Sequence, residues 1–178
     1  MDLAELIEIE AIKRLKYAYM RCVDQKLWDD IVDCFTEDIT VAYDSGNHSF
    51  EGRDTVVKFL SRSMPATKLT SHRAHQPEID ITGPDTAEAT WAMDDAVMDL
   101  ARTTTIRGAG FYSDSYRKVD GQWKICRTGY LRTYMEIFQT EEAPGFQPAP
   151  TWWWTDDNVR SLPKESDPGR GTAPIDNR

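Results

Sequence analysis

The sequence predicts an α+β fold, a cone-shaped, curved antiparallel sheet covered by N-terminal helices, on three observations. Apolar residues recur at helical spacing over residues 3–23 and in two shorter segments that end before Pro65. Two pairs of long alternating segments follow, each pair joined by a tight turn signal. Gly108 and Gly110 sit inside one of these strands, where glycine marks strong curvature or a close approach to a ligand.

In residues 3–23, Ile9, Ile12, Leu15, Tyr19 and Cys22 share one face, while Glu8, Glu10, Lys13, Arg14 and Lys16 fall mostly on the other. Tyr19 thus lies on the buried face, where its hydroxyl must find a partner. Asp24 follows at the helix C-terminus, where the macrodipole disfavours a carboxylate by about 0.3–1 kcal/mol, so a compensating contact is expected. Either Asp24 caps a second helix over Leu27 to Phe35, or it turns toward a cavity.

Ile39 to Tyr43 alternates as a short strand with Ile39, Val41 and Tyr43 on one face, ended by Asp44-Ser-Gly-Asn. His48 beside that turn reads as a solvated loop residue. A third helix runs from Asp54 to Ser63 with Val57 and Leu60 inward.

Residues 69–97 form the first long hairpin. A loop at Gly83 to Asp85 sets Ile81 opposite Ala87 and Ile79 opposite Ala89. Pro77 cannot donate a ladder hydrogen bond, so it marks a bulge, beyond which the pairing slips by one residue. Because side chains alternate with period two, His72 then faces Asp95 on the side of Trp91 and Met93. Opposed Cβ atoms lie roughly 4.5–5.5 Å apart, so His72 and Asp95 form a candidate general base with its orienting acid. Without the bulge, His75 takes the inward face instead.

The second hairpin joins Thr104–Val119 to a strand from Gln122 to about residue 137 through Asp120-Gly121. Its register sets Tyr116 against Ile125 and Asp114 against Arg127, the latter as an exposed ion pair of little worth. A pocket between helices and curved sheet would receive Tyr19, Tyr43, His72 and Asp95, and buried polar groups are costly unless paired with one another or with a ligand. Residues 1–138 read as one catalytic domain. Residues 139–178 are a Pro- and Trp-rich tail in which Trp152-Trp-Trp154 is expected to dock at a subunit interface.

The net charge of -9 argues against a nucleic-acid partner. Three widely spaced cysteines, Cys22, Cys34 and Cys126, read as small buried hydrophobes of a reducing compartment. No run suggests a signal peptide or membrane span, so a cytoplasmic location is expected, with no metal-ligand spacing and no nucleotide motif.

Several of these stretches, in this order, resemble the SnoaL-like superfamily. They are Tyr19-Met-Arg-Cys-Val-Asp24, Ser71-His72-Arg-Ala-His75-Gln-Pro-Glu-Ile79, Gly108-Ala-Gly-Phe-Tyr-Ser-Asp-Ser-Tyr116, Gly121-Gln-Trp-Lys-Ile125 and Thr128-Gly-Tyr-Leu-Arg132. Within it they are most similar to the bile acid 7α-dehydratases, relatives of scytalone dehydratase. The resemblance implies catalytic roles for Tyr19, Asp24, His72 and Asp95 and places Tyr43 on a pocket tyrosine; His75, Trp91 and Tyr112 are further candidate substrate contacts. It also implies a hydrophobic steroid or polycyclic substrate, no cofactor and a homotrimer. The expected reaction is loss of water from a 7-hydroxy-3-oxo-4-ene steroid. A ketosteroid isomerase-like or polyketide cyclase-like enzyme, or a noncatalytic binding or assembly domain, are the rival readings.

Overall fold

The computed structural model describes residues 2–141 and 143. The expectation for Trp152–Trp154, like nearly all of the tail, lies outside these residues.

The chain opens with helix α1 (Leu3–Asp24), whose first turn is capped by Asp2, with its side chain accepting from the Glu5 N–H at 2.9 Å. Lys26 adopts a left-handed conformation with φ of 57°, and the Leu27 N–H returns to the Cys22 carbonyl, so the helix ends in a sharp reversal. The second helix is shorter than expected: α2 (Trp28–Ile31) passes into a 3-10 turn at Val32–Cys34. Strands β1 (Phe35–Tyr43) and β2 (His48–Glu51) form a hairpin, and α3 (Arg53–Ser63) follows. Then come the four long strands β3 (Lys68–Gly83), β4 (Thr86–Asp99), β5 (Thr104–Val119) and β6 (Gln122–Gln139).

All six strands make one sheet in the order β2-β1-β6-β5-β4-β3. The α+β architecture is as the sequence predicts, but the sheet is mixed rather than antiparallel, because β1 pairs with β6 in parallel. The long path from β1 through α3 and two hairpins brings the last strand back beside the first in the same direction. One face of the sheet packs against α1 and α3. Ile12, Tyr19 and Val23 of α1 meet Phe35, Ile39, Trp91, Tyr116 and Ile125 in the core. Each such side chain contributes about 1.5–3 kcal/mol by leaving water.

The β3–β4 bulge falls where Pro77 places it, between the pairs His75↔Ala92 and Glu78↔Thr90, with Gln76 at φ 41°. His72 therefore pairs with Asp95 in register, and Ile79 with Ala89. In the second hairpin, Val119↔Gln122 and Tyr116↔Ile125 pair as the turn dictates, but a bulge follows, and Asp114 lies opposite Thr128 rather than Arg127. That one-residue slip turns Asp114 into the core, where it is wholly buried instead of making an exposed ion pair.

Asp114 accepts from Thr128 Oγ1 at 2.6 Å and from Tyr116 Oη at 2.7 Å, and Lys16 Nζ lies 2.7 Å from its Oδ2. Lys16 is thus 0% exposed rather than on the solvent face of α1. Burial lowers the lysine's pKa while the Asp114 carboxylate opposes that shift.

Candidate functional site

Between α1, α3 and the sheet lies a cavity of about 430 Å³. Its wall includes Tyr19, Tyr43, His72, Asp95, Tyr112, Tyr130 and Arg132, with apolar cover from Val23, Phe59, Leu60 and Val97.

Helix α1 and five strands, β1 and β3 to β6, bring the polar groups together. The reversal after α1 leaves Asp24 facing β3, where its Oδ2 accepts the His72 backbone N–H at 2.8 Å and its Oδ1 lies 2.7 Å from His72 Nδ1. Donors from β3 thus offset the unfavourable position of a carboxylate at a helix C-terminus. A carboxylate only accepts, so the His72 ring proton sits on Nδ1, and Nε2, which has no protein partner among the described residues, is free to act as a base. The carboxylate that bonds the His72 ring is Asp24, not Asp95 as expected. Cross-strand pairing makes His72 and Asp95 neighbours on one sheet face, but Asp95 is taken by Arg132, whose Nη1 and Nη2 donate to its two oxygens at 2.9 and 2.6 Å. A fork-to-fork pair of this kind outcompetes an imidazole for the carboxylate.

Gly108 makes that pair possible. It sits opposite Asp95 on β5, and a Cβ there would collide with the Arg132 guanidinium and with the Tyr134 carbonyl oxygen at 2.7 Å. The close approach at this glycine is to the Arg132 side chain and the Tyr134 backbone, not to a ligand as expected.

Across the cavity the Tyr19 and Tyr43 hydroxyls lie 3.0 Å apart. Burial raises the pKa of both phenols, well above the ordinary range for Tyr19, so both stay protonated. Two hydroxyl protons and one mutual hydrogen bond leave one O–H to offer to a ligand. Tyr112 packs edge-on against Tyr130 at 5.4 Å, and Lys16 Nζ lies 3.6 Å from the Tyr112 ring centroid.

Among the residues expected to bind substrate, Tyr43 and Tyr112 line the cavity and two do not. Trp91 is 0% exposed in the core, donating from Nε1 to Tyr116 Oη at 3.0 Å. His75 pairs through Nε2 with Asp94 at 2.7 Å and lines an outer groove with Arg73 and Gln25, because the bulge at Gln76 sends odd-numbered residues before it outward. His48, expected as a loop residue, borders the cavity mouth with its ring 5.4 Å from Phe59.

Sequence reasoning missed Arg132, Tyr130 and the Asp24–His72 contact. The first was signalled by Gly108 opposite Asp95. The contact is a crossing of α1 and β3 that no local pattern records.

Residues 4–129 match a family described as SnoaL-like domain. A protein described as a candidate scytalone dehydratase of Novosphingobium aromaticivorans superposes with a TM-score of 0.68 at 27% identity, covering 74% of this chain and 88% of its own. The hexachlorocyclohexane dehydrochlorinase LinA-type3 of Novosphingobium barchaimii superposes with a TM-score of 0.71 at 16% identity, covering 83% of this chain and 99% of its own. At that identity the likeness is one of fold.

Proposed function

Because the chain belongs to the SnoaL-like domain family, we propose that it is a cofactor-independent carbon–oxygen lyase that eliminates water from a 7-hydroxy-3-oxo-4-ene steroid of bile acid type. The observation that carries this reading is the Asp24–His72 dyad, whose His72 ring lines a cavity of about 430 Å³ while Asp24 holds it from the adjoining groove, the cavity being of a size suited to one small polycyclic molecule. The names of the two solved relatives, a dehydratase and a dehydrochlorinase, both denote eliminations.

In such a substrate conjugation acidifies the C6 proton. His72 Nε2 removes it, with Asp24 holding the tautomer and stabilising the imidazolium that forms. The electron pair moves through the enone to the C3 oxygen, where the Tyr19–Tyr43 pair supplies its one spare O–H to the developing charge. Return of that charge forms the C6–C7 double bond and expels the hydroxyl, which leaves as water with the proton held by His72. Substrate becomes one dienone and one water, and His72 is neutral again. Asp95 acts at one remove, holding Arg132 against the cavity wall.

We further propose assembly as a homotrimer, with cytoplasmic location. Phe111, Leu131, Tyr134 and Phe138 lie exposed on the outer face of β5 and β6, an apolar surface that self-association would cover.

Incubation of the purified protein with a 7α-hydroxy-3-oxo-4-ene bile acid, followed by ultraviolet absorbance and product mass, tests the reading. A red-shifted dienone band with loss of one water is the expected result. A product of unchanged mass would instead favour an isomerase, and binding without conversion a noncatalytic domain.

A further inference from the structure

We propose that Lys26 is a positioning residue of the Asp24–His72 dyad, clamping the end of α1 to β3 through Thr70 while holding a positive charge beside the Asp24 carboxylate. This rests on the dyad being the working base described above.

The left-handed turn at Lys26 sends its side chain back toward β3, where Nζ donates to Thr70 Oγ1 at 2.8 Å. Thr70 and His72 alternate onto the same strand face, so this bond runs beside the two that Asp24 makes to His72. Lys26 is only 8% exposed, yet among the described residues no carboxylate lies within ion-pair distance of its Nζ. A buried ammonium held by one hydroxyl and no contacting carboxylate is costly, and a methionine would fill the same volume without that cost. A charge kept under those terms acts on what faces it. Facing it are Asp24, which holds the His72 ring at 2.7 Å, and, from β3, Lys68, 3.5 Å from Asp99. Burial and Lys68 pull the Lys26 ammonium down to about 8, against the opposing field of Asp24. The clamp therefore changes charge within the range where an imidazole base works.

The test is nuclear magnetic resonance of the full chain carrying 13C-labelled lysine and 15N-labelled histidine, titrated through pH 8, with His72→Gln assigning the ring signals. The Lys26 Cε signal is expected to titrate near pH 8 and the His72 ring nitrogens to inflect with it. Lys26→Met abolishes that inflection, and the upper limb of the pH–rate profile with it. Thr70→Val, which withdraws the acceptor of the ammonium, moves the inflection to lower pH and keeps the proposal testable should Lys26→Met fail to fold. Ring signals that stay level while Lys26 titrates, an inflection that survives Lys26→Met, or one unmoved in Thr70→Val would overturn it. Because these signals need no turnover, an inflecting protein that forms no dienone contradicts the dehydratase reading and leaves the clamp standing.

Discussion

Replacing Asp114 by asparagine tests a polar group that, like Lys16 and Thr128, has no solvent exposure. The Asp114 carboxylate takes two hydroxyl bonds, from Thr128 at 2.6 Å and Tyr116 at 2.7 Å, and faces Lys16 Nζ at 2.7 Å in a site with no solvent exposure. Asparagine offers one carbonyl to two hydroxyl donors, so one bond to a charged acceptor is lost, about 1.5–3 kcal/mol. It also leaves the Lys16 ammonium without its counter-charge, and breaking a buried pair in this way costs about 3–5 kcal/mol in all. Domain stability is only about 5–15 kcal/mol, so the variant should retain a fold of much reduced stability. With a urea slope of about 1–3 kcal/mol per M, the unfolding midpoint falls by about 1 M or more, as followed by circular dichroism at neutral pH. Adding Lys16→Met removes the stranded charge, so the double variant should be more stable than Asp114→Asn alone, with a coupling energy of about 2 kcal/mol. Single effects that add to within about 0.5 kcal/mol, or an Asp114→Asn cost below about 1 kcal/mol, would refute the reasoning.

Asp24→Asn should lower turnover by about 10²–10⁴-fold with little loss of stability, because the amide no longer fixes the proton on His72 Nδ1, whereas His75→Ala leaves turnover unchanged; steady-state kinetics separates the two. Lys26 gives a pH dependence with a defined sign. Its folded pKa of about 8 lies below the roughly 10.4 of an unfolded lysine, so between these values the unfolded chain binds the extra proton and stability rises with pH, by up to about 3 kcal/mol. Urea unfolding at intervals across that window should show the rise in the wild-type protein and not in Lys26→Met. Gly110→Ala would drive a Cβ into the Leu131 carbonyl and to 2.9 Å from the Arg132 Cα, backbone atoms that cannot step aside; thermal unfolding should show a loss of about 3 kcal/mol or more. Leu131→Arg, on the outer sheet face, should leave the protomer folded and reduce the mass measured by light scattering to that of one chain.

The features legible in the sequence were those set by local chemistry. Pro77 lacks an N–H, so it declared its bulge and with it the pairing of His72 and Asp95. Asp120-Gly121 declared the second hairpin turn, while Gly108 announced a close approach without naming Arg132 as what approaches. The bulge opposite Ser115 and Tyr116 carries no glycine or proline on either strand, and without it Asp114 read as an exposed residue. Lys16 read as solvated for the same reason, since the carboxylate that meets it in the core, Asp114, is distant in the sequence. The dyad escaped in the same way. Its two residues are 48 positions apart on α1 and β3, and only the packing of helix on sheet decides that Asp24, rather than the in-register Asp95, reaches the His72 ring. Parallel pairing of β1 with β6 was equally hidden, because each strand's own alternation is indifferent to the direction of its neighbour.

The most direct test of the dyad as the base of an elimination follows deuterium placed at C6 of a 7α-hydroxy-3-oxo-4-ene steroid, by mass spectrometry, with the wild-type protein and with His72→Gln. The account predicts that the wild-type protein forms a dienone that has lost one water and one C6 label together, more slowly than from unlabelled substrate, and that His72→Gln forms none. Equal turnover by His72→Gln, or a product of unchanged carbon–oxygen composition, would contradict it.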